Sequence, residues 1–108
     1  MSERFEGTLS RGEMDVILER RRHESEGITP ASDDDLRNME LAYAAGCYVA
    51  PVWKSDADMN AGEPPIGWPG HRDDWKPKDY RRNLIRGASL IFAEIDRFDR
   101  LADREAGS

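Results

Sequence analysis

A chain of 108 residues with 38% hydrophobic and 35% charged content has apolar material for one modest core, which reads as a single soluble domain. A formal net charge of −6 argues against gripping a DNA or RNA polymer through its phosphates. No apolar run approaches a membrane span, and the opening "MSERFEGTLSRGE" lacks the apolar centre of a signal peptide. The single cysteine, Cys47, leaves no intrachain disulfide, so a cytoplasmic protein with no membrane contact is expected.

The first predicted helix runs over about 10–25. Ser10 with Glu13 forms a capping box, and Leu9 with Met14 a hydrophobic staple. Its apolar side is thin, with Met14, Ile17 and Leu18, and "EGITP" breaks it. Arg20, Arg21 and Arg22 span most of its circumference, and Glu24 is the i+4 partner expected for Arg20. The second predicted helix covers about 33–50, capped by Ser32, with Asp33, Asp34 and Asp35 favoured by the dipole in its first turn. Its second half is apolar on nearly every side, which predicts a central helix or one shared between subunits.

Residues 51–78 form a long connection holding Pro51, Pro64, Pro65, Pro69, Pro77 and all three Trp. A loop of this length with three large aromatic rings is expected to be ordered and functional. The third predicted helix, about 79–103, is capped by Asp79. Leu84, Ala88, Ile91, Ile95, Phe98 and Ala102 fall on one stripe, widened by Ile85 and Phe92, while Leu90 and Leu101 lie nearly opposite. No stretch alternates as a strand. The expected fold is a small all-α domain of three helices with a Trp/Pro-rich loop before the last one. A short chain has few ways to bury both the apolar second helix and the Leu90/Leu101 face, which predicts a homo-oligomer, most simply a dimer.

Two resemblances carry further expectations. "ERRRHESEGITPASDDD", "MELAYAAGCYVA" and "WKPKDYRRNLIRGASLIFAEIDRFDR" together resemble a family of small uncharacterised phage and prophage proteins over residues 16–103. The family pattern has a His near Ser32 and Asp33 and a Gly where Met39 stands, so no role of that His carries over. The resemblance implies a phage context and the host cytoplasm. Gly67, Trp68, Gly70, Arg72, Asp73, Lys76 and Pro77 follow the order of the G-W-x-x-G, R-D and K-x-x-P elements of the ryanodine-receptor repeat. Their spacing is shorter and the upstream His-x-x-Trp element is missing. That resemblance implies a ligand-binding or interaction module rather than an enzyme.

The charge is uneven. Residues 1–35 hold ten acids and five bases, whereas 76–86 hold five bases and one acid. Lys76, Lys78, Arg81 and Arg82 crowd the start of the last helix, where cations oppose the macrodipole. An anion bound there removes that conflict, since free backbone N–H groups and Arg forks both suit phosphate. Trp68, Arg72, Trp75, Lys76, Lys78, Arg81 and Arg82 are therefore the candidate ligand-binding residues, with the Trp faces offered to a base. The competing structural reading pairs Arg81 and Arg82 with acids of the first half and makes the Trp rings caps on the core.

Glu19, Glu24, Glu26, Asp33, Asp34, Asp35 and Glu40 could in principle hold Mg²⁺, as in all-α nucleotide pyrophosphohydrolases. The E-x-x-E spacing of those enzymes is absent between residues 10 and 50, so neither a metal site nor a cofactor is expected. His23 and His71 read as surface residues, and Cys47 as a small core residue. The functional readings, in order, are three. The first is a non-catalytic phage-type protein capturing a phosphate-bearing small molecule, such as a nucleotide-derived host defence signal. The second is a protein–protein module or inhibitor, and the third a Mg-dependent hydrolase.

Overall fold

The computed structural model describes residues 7–25 and 39–107, and every regular element among them is helical. Four helices follow in order: α1 (Arg11–Ser25), α2 (Glu40–Val49), the short α3 (Asp56–Asn60) and α4 (Tyr80–Ala106). A 3-10 turn at Arg72–Asp74 precedes α4. The all-α class follows from the sequence. The Ser32 cap and the expected turns over 33–38 lie outside the described residues.

Local chemistry sets the helix starts. The Glu13 N–H donates to Ser10 Oγ at 3.1 Å, and the Ser10 N–H donates to Glu13 Oε1 at 2.9 Å, closing the capping box on α1. The Arg82 N–H donates to Asp79 Oδ1 at 2.9 Å and caps α4. α2 starts differently: Met39 stands at its N-cap with φ 60°, in the left-handed region, and its side chain caps nothing.

The hub is α4, and α1 and α2 both pack on it, which corrects the expectation of a central second helix. The α2–α4 contact is apolar and close. Leu41, Ala45, Cys47 and Tyr48 meet Leu90, Ala93 and Trp75 in one buried cluster. Gly87 permits the approach, because a Cβ there would collide with Val49 Cγ1 and stand 3.2 Å from the Ala45 carbonyl oxygen.

The α1–α4 contact is polar instead. Arg81 pairs with Asp15 at 2.9 Å, and Arg20 pairs with Asp96 rather than with Glu24. His23 is only 3% exposed, which corrects its assignment to the surface. Its Nδ1 lies 3.2 Å from Ser89 Oγ, and its Nε2 lies 3.2 Å from Glu19 Oε2. Ser89 gives Nδ1 a hydrogen-bond partner, and the Glu19 carboxylate beside Nε2 offsets its burial through charge rather than through an aligned hydrogen bond.

The apolar stripe of α4 faces away from this core. The buried residues of α4 are Ile85, Gly87, Ser89, Leu90 and Ala93, mostly small. Leu84, Ile91, Ile95 and Phe98 are 37–64% exposed. The helix is thus apolar on two faces, and the larger side chains lie on the outer one.

Candidate functional site

The connection between α2 and α4 folds around its indole rings. Pro65 to Trp68 forms a turn closed by the Trp68 N–H donating to the Pro65 carbonyl at 3.2 Å, with Gly67 at φ 89° in the third position. That position of a type II turn needs glycine. The turn delivers Trp68 against Trp75, with ring centroids 5.1 Å apart. Trp75 also meets Tyr48 at 4.8 Å and Trp53 at 6.5 Å, so it is the centre of the cluster and only 7% exposed. The Trp53 and Trp68 indole N–H groups donate to the Glu63 and His71 carbonyls at 2.8 and 2.9 Å. Bonding of these two indole edges lets so much aromatic surface sit in a loop.

Trp75 anchors the segment that follows it. The Lys78 N–H donates to Asn83 Oδ1 at 2.7 Å, and Asn83 Nδ2 returns a bond to the Lys78 carbonyl at 3.2 Å. Arg86 lies over the Tyr48 ring at 5.1 Å and reaches the Lys76 carbonyl at 3.4 Å. Residues 76–78 are thereby held along the first two turns of α4, opposite α1.

Between them lies a pocket of about 330 Å³, lined by Glu19, Arg22, Lys76, Lys78, Arg82, Asn83 and Arg86. Arg22 donates to both oxygens of Glu19 at 2.8 Å. That bidentate bond, with the positive field of His23, Arg22 and Arg86, holds the Glu19 carboxyl at a pKa of about 2 despite partial burial. Glu19 therefore stays ionised and offsets Arg22. The side chains of Lys76, Lys78 and Arg82 have no acidic partner among the described residues. Like charges held this close repel, and an anion between them relieves the repulsion.

Of the seven candidate residues, Lys76, Lys78 and Arg82 line this pocket. Arg81 turns to Asp15, and Arg72 pairs with Glu63. Trp75 lies in the core, and Trp68 packs against it away from the pocket. Sequence reasoning missed Arg86 and Asn83, and it considered Glu19 only as a metal ligand and Arg22 only within the arginine run of α1. Arg86 is one helical turn beyond Arg82, a spacing that marks a shared face. Arg22 and Glu19 come from another helix, and no local signal announces them.

Two other groups bear on chemistry. Burial pushes the Cys47 thiol pKa up, as suits an inert core residue. Glu19, His23 and Ser89 line up like an acid, a base and a nucleophile, but Ser89 is fully buried, so no substrate reaches its hydroxyl. The trio joins α1 to α4. Among the described residues no group of three or more His, Cys, Asp or Glu comes together to hold a metal. Glu26, Asp33, Asp34 and Asp35 lie outside those residues. No described helix is long and apolar enough to cross a membrane. The chain matches no protein-family model, no curated protein and no solved structure.

Proposed function

We propose that this protein binds a phosphate-bearing small molecule, without transforming it, in the pocket between α1 and the start of α4. One observation carries the reading: in a chain of net charge −6, Lys76, Lys78, Arg82 and Arg86 converge on one pocket, and Lys76, Lys78 and Arg82 have no acidic partner among the described residues. The pocket has room for one or two phosphate groups with their water. No indole lines it, so recognition rests on the phosphate rather than on stacking of a base. The resemblance to small phage proteins supplies a context, namely sequestration of a phosphorylated host signal.

Titration calorimetry with inorganic phosphate, pyrophosphate and nucleotides tests this. Pyrophosphate or a nucleoside polyphosphate should bind more tightly than phosphate, and binding should weaken with salt. Arg82→Ala should cost about 1.5–3 kcal/mol of binding, the range for a charged hydrogen bond, with the fold intact. Arg72→Ala, whose side chain pairs elsewhere, should leave affinity unchanged. Absence of binding by all these anions refutes the reading, and turnover of a nucleotide replaces it with an enzyme.

A further inference from the structure

The outer stripe of α4 repeats with steps of four and three residues: Leu84, Ala88, Ile91, Ile95, Phe98 and Ala102. This is a heptad seam, six positions long, covering about 27 Å of helix. The face opposite it is the one that packs on α1 and α2, so within the described fold the seam has no partner. From these observations we infer that the seam is the contact between two copies of this chain, with the two α4 helices antiparallel about a two-fold axis between Ile91 and Ile95.

Side-chain volumes decide the direction. A parallel pair stacks each residue on its own copy, giving a Phe98 layer beside thin Ala88 and Ala102 layers. An antiparallel pair matches Leu84 with the partner's Ala102, Ala88 with the partner's Phe98 and Ile91 with the partner's Ile95. Every layer then joins large to small or Ile to Ile, the condition for even packing. The axis brings Phe92 opposite its own copy at the flank, beside the α1 groove that Val16 and Ile17 line.

The area suffices. Leu84, Ile91, Phe92, Ile95 and Phe98 are 37–64% exposed. At roughly 200 Å² per large side chain they present on the order of 500 Å² per copy. Two copies contribute on the order of 1,000 Å², the lower bound of a specific interface. The basic pocket lies on the other side of α4, so self-association and anion binding are separate properties.

Sedimentation at tens of micromolar should give twice the chain mass, and Phe98→Glu should weaken association about 100-fold or more. Unchanged helical circular dichroism in that variant would locate the effect in the interface. Mixing Ile91→Cys protein with Ile95→Cys protein under oxidation should yield a disulfide dimer that neither gives alone. The unsubstituted protein, with Cys47 buried, is the control. Cross-linking of either variant with itself alone would overturn the antiparallel register. A strictly monomeric mass would overturn the contact itself and assign the seam to a different partner or to this chain's own residues.

Discussion

At the scale of single residues, Glu19 links stability to pH. Its carboxyl titrates near 2 in the folded chain, against 4.5 for the free group, chiefly through the Arg22 hydrogen bonds. A depressed carboxylate stabilises the fold above its unfolded pKa, and that contribution fades as pH falls from about 4.5 toward 2. The shift corresponds to about 3 kcal/mol. Denaturant unfolding should therefore show Glu19→Gln destabilised at pH 7, with the gap to the natural chain closing near pH 2. Met39 offers the opposite opportunity. At φ 60° its Cβ crowds the backbone, and glycine is free of that conflict. Met39→Gly should raise the melting temperature, by an amount equivalent to about 0.5–1 kcal/mol after the extra entropy of an unfolded glycine is subtracted.

At the scale of elements, the α2–α4 contact depends on Gly87. Alanine gains about 1 kcal/mol of helix propensity there. Crowding against Val49 and the Ala45 carbonyl costs about 1–3 kcal/mol, because the backbone cannot yield as a side chain can. The second effect wins, so Gly87→Ala should lower the melting temperature by several degrees in a thermal scan. The same helix shows where sequence reasoning stopped. The capping residues Ser10, Glu13 and Asp79 named two helix starts, because their chemistry is complete within four residues. The 3,4 spacing of Leu84, Ile91, Ile95 and Phe98 identified a helix but not which side of it meets the core. Periodicity is blind to that choice, and the inner face consists largely of Gly87, Ser89 and Ala93, whose small side chains carry little hydropathic signal. His23 was illegible for a related reason: its partner Ser89 lies 66 residues away.

At the scale of the whole molecule, two properties sit on opposite sides of one helix. The basic pocket faces α1, and the heptad seam faces outward. Phe98→Glu should consequently leave calorimetric phosphate affinity as it was, and Arg82→Ala should leave the sedimenting mass as it was. The indole cluster has a consequence for how such experiments are read. All three indoles of the chain stand in one neighbourhood, Trp53 and Trp68 each within 6.5 Å of Trp75 between ring centroids. Transition dipoles that close couple to one another, so far-ultraviolet ellipticity contains an aromatic part and misstates the helix content. Tryptophan emission has the converse bias. It reports the loop and the face of α2 it covers, while a departure of α1 from the pocket leaves it dark.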